Sequence, residues 1–399
     1  MNILFLTLVD ISSLEERGIY PDLLRKFVNK GHNVYIVKPV ERRKKGKTFY
    51  RDTDETHILH VKTLNILKTN IIEKGFATLS IEYQFLFAIK KYFSEIKFDL
   101  ILYSTPPITF TKVIQYIKNK DNAFSYLLLK DIFPQNAVDL DMFSKKGLVY
   151  NYFRRKEKKL YKVSDIIGCM SPANEKFLLL HNPEVDPKKV EVCPNSVELK
   201  IVFKKLDKNK VREKYGIPFE ITTYIYGGNL GKPQGLDFLI KIIEANKNKT
   251  DRFFLIVGSG TEYNKIAEWF KEHKPMNAQL ISSLPKNEYD QLVKSCDVGL
   301  IFLDPRFTIP NYPSRLLTYM ENKMPVLMAT DKNTDIGSIA EENSYGFWCE
   351  NGDLKKFNSL MENLQNSQLR MKMGEKGYSY LTKMYTVDKS YDIIMKHFE

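Results

Sequence analysis

Twice along this chain an apolar run of strand length leads into a loop, then an amphipathic helical run, then another apolar run. Residues 2–8 read as a strand, 20–30 as a helix with Pro21 in its first turn, Gly31-His-Asn as its stop, and 34–37 as the next strand. The second half restarts with a strand at 221–226, a glycine-rich turn at 227–235, a helix at 236–243 and a strand ending in Gly258-Ser-Gly260. Such β-α-β units connect parallel strands with a right-handed crossover, and an open parallel sheet built from them binds ligands at the carboxyl edge of its strands. The repeat therefore predicts an α/β protein of two doubly wound, Rossmann-like halves. A chain of 399 residues, 43% hydrophobic, is long enough for two such cores.

Charge and cysteine usage narrow the setting. The net charge of +13 is uneven, with +10 of it in residues 1–200, which points the first half at an anionic partner. Cys169, Cys193, Cys296 and Cys349 are far apart, without zinc-type spacing or a dense disulfide pattern, so they read as core thiols in a reducing cytoplasm. The apolar opening 3–9 lacks a preceding basic region and runs into Asp10, which fits a core strand better than a signal peptide. No uncharged run is long enough to span a bilayer.

In the first half, residues 38–57 read as a solvated basic excursion. The aromatic helical run 76–93 fits either a core or a lipid interface. A strand at 99–104 runs into Thr105-Pro-Pro107, and a second at 123–129 delivers Lys130 and Asp131 to the edge where ligands bind; Asp131 reads equally as a helix cap. Residues 145–162 carry eight basic side chains and one acid, interleaved with aromatics; without an RNA-binding or helix-turn-helix signature, lipid headgroups rank ahead of nucleic acid. Further strands fall at 165–171 and 190–196, and polar, lysine-rich residues 197–218 read as a linker.

The phosphate-binding signals lie in the second half. Glycines at 227–235 permit a tight turn whose bare amides face an anion, and Lys232 reaches an oxygen from it. A strand at 297–303 feeds the loop 308–313; Ser314 then caps a helix that begins at Arg315 and ends before Pro325. Three strand ends thus converge on one crevice. Asp139-Leu-Asp141 has the look of a metal-binding pair but reads as a surface coincidence.

With these motifs in view, the chain resembles a GT-B glycosyltransferase of the retaining glycosyltransferase family 4, in the branch that builds bacterial cell-surface polysaccharides such as capsules. The resemblance runs through Gly18-Ile-Tyr20, Gly31-His-Asn-Val-Tyr-Ile-Val37, residues 130–140, Cys193-Pro-Asn-Ser196, Gly228-Asn-Leu-Gly231, Gln234-Gly-Leu236, Gly258-Ser-Gly260, Pro313-Ser-Arg-Leu316, Tyr319-Met320 and Pro325-Val326. It implies an acceptor domain over 1–198, a nucleotide-sugar domain over 199–384, a cleft between them, and a last helix, 385–399, crossing back to the first. It also implies a nucleotide diphosphate sugar, UDP-linked, as donor and a lipid-linked saccharide as acceptor. The enzyme would be cytoplasmic and peripheral to the inner face of the membrane, with no metal, cofactor or nucleic acid.

Where many members of that family carry two glutamates separated by seven residues, this chain has Pro310 and Thr318; where they carry a phosphate-binding arginine and lysine, it has Asn229 and Gln234; and Lys130-Asp131 replaces a histidine. Lys232 and Arg315 remain to meet the diphosphate. The donor set is therefore Gly228, Asn229, Gly231, Lys232, Gln234, Gly258, Gly260, Ile309, Pro310, Asn311, Tyr312, Ser314 and Thr318. The acceptor set is Gly18, Tyr20 and Thr105, and Asp131, Lys130 and Arg315 carry the chemistry. The alternatives are a non-catalytic partner of the same fold, prompted by the missing glutamates, a sugar-nucleotide epimerase, and a nucleic-acid binder resting on charge alone.

Overall fold

A computed structural model describes residues 1–53, 56–65, 71–199 and 206–399, and of 71–76 it describes the backbone. The chain divides into two compact units, Met1–Glu198 with Val387–Glu399, and Leu199–Thr386.

The first unit is built on an eight-stranded sheet. In chain order its strands are β1 (Asn2–Leu6), β2 (Asn33–Glu41), β3 (Phe49–Thr53), β4 (Thr56–Thr63), β5 (Leu100–Ser104), β6 (Phe124–Leu129), β7 (Ile166–Cys169) and β8 (Val190–Val192). Their spatial order is β3-β4-β2-β1-β5-β6-β7-β8, parallel except for β3 against β4. The order reverses between β1 and β5, which makes their carboxyl ends the switch point of the sheet. Every residue of β5 is buried, as a parallel strand covered on both faces requires.

Residues 38–57 are solvated where the basic run lies, with Arg42, Arg43, Lys44, Lys45 and Lys47 exposed, but they also carry strands that the sequence did not announce. β2 continues through Pro39 to Glu41, β3 returns beside β4, and Lys38 is 2% exposed because Asp10 pairs with it at 2.5 Å; residues 54–55 of that stretch lie outside the described residues. Pro39 lies in β2 beyond the stretch paired with β1, which ends at Val37, so at that point only β4 flanks the strand and a missing amide donor is tolerated. The carboxyl-terminal helix Val387–Met395 packs on the helix Ile19–Asn29, with Tyr391 against Phe27 at 5.0 Å between ring centroids and its hydroxyl 2.9 Å from His32 Nε2.

The second unit holds six parallel strands: β9 (Thr222–Asn229), β10 (Arg252–Ser259), β11 (Ala278–Ile281), β12 (Val298–Phe302), β13 (Val326–Thr330) and β14 (Gly346–Glu350). Their order, β11-β10-β9-β12-β13-β14, reverses between β9 and β12. Tyr224, Phe254, Ile256, Leu300 and Leu327 fill its core together with Ile242, Phe357 and Met361 from the covering helices. Of the expected linker 197–218, residues 200–205 lie outside the described residues, and the helix Lys208–Lys214, capped by Asp207, occupies part of the rest.

All four cysteines are buried free thiols. No helix among the described residues is long and apolar enough to cross a membrane.

Candidate active site

At the switch point of the second sheet, β9 ends in Tyr226-Gly-Gly-Asn229 and turns through a single 3-10 turn, Lys232–Gln234. Gly228 has φ of 120°, a conformation open to glycine, and a side chain there would stand 3.7 Å from Arg315 Cζ. Arg315 opens the helix Arg315–Glu321 and lies over this strand end. Its Cζ is 4.4 Å from the Tyr226 ring centroid, and Nη2 donates to Gln234 Oε1 at 2.8 Å. Its Nη1 has almost no exposed surface and no hydrogen-bond partner among the described residues. A buried guanidinium donor left unpaired carries a desolvation cost of about 1–3 kcal/mol until an acceptor arrives.

The surrounding frame fixes that cation. Tyr319, one turn beyond Arg315, is fully buried; its hydroxyl accepts from Gly227 N at 3.2 Å and donates to Ile225 O at 3.2 Å, tying the helix to β9. Gly299 leaves the space for its ring, since a Cβ there would lie 2.3 Å from Tyr319 Cδ2. Tyr226 donates to Asn229 O at 2.6 Å, and Tyr289, pushed up to about 12 by burial, fills the space beside Gly227. Gly258 and Gly260 act through the backbone. A Cβ at Gly258 would meet Gly228 O at 1.9 Å and one at Gly260 would meet Leu230 O at 2.3 Å, so both let the end of β10 press against the glycine turn. Leu230 N donates to Ser259 O at 2.9 Å in the same contact.

Residues 207–380 match the family described as Glycosyl transferases group 1. A probable glycosyltransferase of Pseudomonas aeruginosa, WbjE, is 23% identical over 298 residues, 72% of this chain and 70% of the relative. Among solved structures, sucrose-phosphate synthase of Thermosynechococcus elongatus superposes with a TM-score of 0.78 at 15% identity, covering 100% of this chain and 98% of the other. HepE of Anabaena, solved in complex with UDP, superposes with a TM-score of 0.69 at 13% identity, covering 100% and 99%. Residues 207–380 thus carry a glycosyltransferase group 1 domain, and the chain has the GT-B fold.

The remaining residues of the expected donor set divide. Gln234, Arg315, Gly228 and Asn229 are brought together, and Lys232, exposed, opens the same 3-10 turn as Gln234; Asn229 is also exposed, and its side chain lies 3.1 Å from where a Cβ on Gly231 would stand. Thr318 lies one turn beyond Arg315 on the same helix.

The loop before that helix is occupied otherwise than expected. Ile309 and Pro310 are buried, and Asn311 N donates to Thr334 Oγ1 at 3.0 Å, which removes that amide from anion binding. Thr334 is held there by Asp331, which accepts from its hydroxyl at 2.9 Å. Tyr312 turns its hydroxyl to Tyr385 at 2.5 Å rather than to Arg315. Ser314 does not cap: it has helical φ and ψ, its side chain makes no cap bond, and the helix spans seven residues. Pro313 explains this, because its carbonyl already accepts from Leu316 N and the turn starts one residue early.

In the first unit the candidate acceptor residues gather at the switch point between β1 and β5. Thr105, buried after β5, accepts through Oγ1 from Lys130 N and Asp131 N, both at 3.0 Å, which clamps the end of β6 to the end of β5. Among the described residues Lys130 Nζ donates to Cys193 O, at 3.4 Å, and burial brings its ammonium down to about 8. Burial lifts the Asp131 carboxyl to about 6; its Oδ1 accepts from Asn136 Nδ2 at 2.7 Å, so the cap alternative does not hold, since Pro134 precedes the helix Gln135–Asp139. Tyr20 lies near Asp131, and burial pushes its phenol up to about 12. Tyr20, Lys130, Cys193, Asn195 and Ser196 line a small cleft there. Gly18 precedes the helix and its amide donates to Asp22 Oδ1 at 3.2 Å, so that donor is spent on the chain itself.

Asp139 is 9% exposed and accepts from Gln135 Nε2 at 2.7 Å, so it is a partnered, buried group rather than a surface one. Sequence reasoning passed over Tyr226 as a site residue, although its place immediately before two glycines at a strand end was the available signal. Tyr289 and Asp331 gave none, because only the fold brings them to Gly227 and Thr334.

Proposed function

We propose that this transferase moves a sugar, with retention of anomeric configuration, from a nucleotide diphosphate sugar, UDP-linked, to a lipid-linked saccharide in the assembly of cell-surface polysaccharide. The second unit takes the donor and the first the acceptor. The observation that carries the reading is Arg315: a guanidinium fixed over Tyr226 by Gln234, with Nη1 buried and unpartnered beside the open Gly228 backbone. A diphosphate is the ligand class that uses such a fork in full, because two parallel N–H donors match two phosphate oxygens. HepE, similar in fold, has been solved with UDP and with UDP-glucose, which favours a uridine nucleotide.

The chemistry demands charge stabilisation on a departing diphosphate while an acceptor hydroxyl approaches an oxocarbenium-like sugar. Arg315, the exposed Lys232 and the amides about Gly228 supply the electrostatic part without a metal. Asp131, with a carboxyl near 6, is deprotonated at neutral pH and orients or deprotonates the acceptor hydroxyl, while Lys130, its ammonium turned to Cys193 O, brings a cation to the small cleft lined by Tyr20 and Asn195. Work at the inner face of the membrane follows from a lipid-linked acceptor.

Calorimetry with UDP and UDP-sugars tests the donor half. Absence of binding to the wild type, or an Arg315→Ala variant that binds as tightly, rejects it. Pro310 and Thr318, standing where related enzymes carry glutamates, favour a second reading, a non-catalytic partner of another transferase. Mass spectrometry of a transfer reaction with membrane extract separates the two, since a pure binder forms no glycosylated lipid. An epimerase would still form product with donor and no acceptor.

A further inference from the structure

Large apolar side chains of the first unit stand in solvent along two neighbouring helices. On the helix Ile71–Tyr92, Leu79, Tyr83 and Phe87 are spaced by four residues and so share one stripe, while Ala77, Ile81, Phe85 and Ile89 on the other side are buried. Phe87 is 68% exposed. On the helix Leu148–Val163, Leu148 is 88% exposed, and Leu148, Tyr152, Arg155 and Lys159 form a second stripe that is apolar at one end and basic at the other. Val149, next in the chain, is exposed as well, and so are Met142, Lys145 and Lys146 in the segment before the helix.

The two stripes belong to one surface. Lys156 Nζ bonds Glu82 Oε2 at 3.2 Å, next to Tyr83, and stands 5.9 Å from the Tyr152 ring centroid. Lys112 lies over the Tyr83 ring at 4.4 Å and donates to its hydroxyl at 2.5 Å. Arg154, Lys156 and Lys158 are committed to Glu157, Glu82 and Glu184, whereas Arg155 and Lys159 face solvent on the stripe. Among the described residues neither helix is long and apolar enough to cross a bilayer.

We propose that this face is the membrane-docking surface of the transferase, with Phe87 and Leu148 inserting among acyl chains while Lys145, Lys146, Arg155 and Lys159 meet anionic headgroups. A lipid surface is preferred to a second copy of the chain because the apolar residues are ringed by cations, a charge pattern that repels its own image and is drawn to an acidic bilayer. Tyrosines at the border, apolar on one side and polar on the other, suit the interface. The assignment gives a location to the membrane association in the reading above and does not depend on the donor site.

Sedimentation with vesicles of phosphatidylglycerol and of phosphatidylcholine tests it on the full chain. Wild type is expected to partition onto the acidic vesicles and not the neutral ones. Phe87→Glu with Leu148→Glu should lower that partitioning at least about tenfold, since each substitution removes an inserted apolar side chain and adds a repelled charge. Lys145→Glu with Lys146→Glu should lower it by a similar factor and flatten its salt dependence. UDP affinity and thermal midpoint should be unchanged in every variant, so a failure here leaves the donor reading standing, and a failure of UDP binding leaves this one standing. Partitioning of the Phe87→Glu, Leu148→Glu variant equal to wild type would overturn the proposal. So would no binding of wild type to acidic vesicles, or light scattering showing that the same substitutions dissolve a dimer while vesicle binding persists.

Discussion

Replacing Arg315 with methionine separates what this residue does for the fold from what it does for a ligand. In the free protein it contributes one charged hydrogen bond to Gln234, about 1.5–3 kcal/mol, and a stacking contact on Tyr226 of about 0.5–1 kcal/mol. Against that stands the unpartnered Nη1, whose desolvation costs about 1–3 kcal/mol. The two sides nearly cancel, and methionine keeps most of the volume, so stability should move by no more than about 1 kcal/mol. Binding has no such compensation. Loss of a fork to a diphosphate should cost about 2–4 kcal/mol, or roughly 30- to 900-fold in Kd for UDP. Uridine, which lacks the phosphates, should bind wild type and variant alike.

The assay pairs calorimetry against both ligands with denaturant unfolding followed by tryptophan fluorescence. Both tryptophans, Trp269 and Trp348, lie in the second unit, so the signal reports that unit alone. A variant that unfolds several kcal/mol more easily yet holds UDP as before would refute the reasoning, because Arg315 would then be a structural cation. Equal losses for UDP and uridine would refute the assignment of the guanidinium to the phosphates.

Other outcomes follow from the same geometry. Transfer activity should be bell-shaped in pH, falling below about 6 as Asp131 takes a proton and above about 8 as Lys130 loses one; Asp131→Asn should abolish most activity and remove the acid limb. Because burial raises the folded-state pKa of Asp131 above its ordinary 3.8, ionised Asp131 opposes folding. The penalty is absent below about 4 and complete above about 6, so Asp131→Asn should gain up to about 3 kcal/mol at pH 7 and nothing at pH 3, read by hydrogen exchange of β6 amides. Gly258→Ala should destabilise the second unit by at least about 2 kcal/mol and weaken UDP binding, since the new methyl displaces Gly228 O; calorimetry and the tryptophan signal check both. Lys232→Ala, at an exposed cation, should cost UDP about fivefold at low salt and progressively less as salt is added, which titrations across ionic strength would reveal.

The amino-acid sequence by itself determined the two-fold β-α-β grammar, because continuous apolar runs such as 100–104 and 298–302 can be satisfied only by parallel strands buried on both faces, and glycines at 227–235 only by a tight turn. It also singled out Arg315, Gln234, Lys130 and Asp131, since polar groups that directly follow buried strands or open helices are few. What it could not contain was which of these share a ligand. Arg315 meets Gln234 because the strand order reverses between β9 and β12, which brings segments 81 residues apart to one point. The tertiary structure likewise turned Tyr312 away to Tyr385, spent the Asn311 amide on Thr334, made Gly258 and Gly260 spacers between backbones, and settled the aromatic run 76–93 as a helix buried on one side and bare on the other. The physical reason is common to all of these: periodicity in the chain records which residues must leave water, whereas the direction a polar group faces depends on neighbours that only folding supplies.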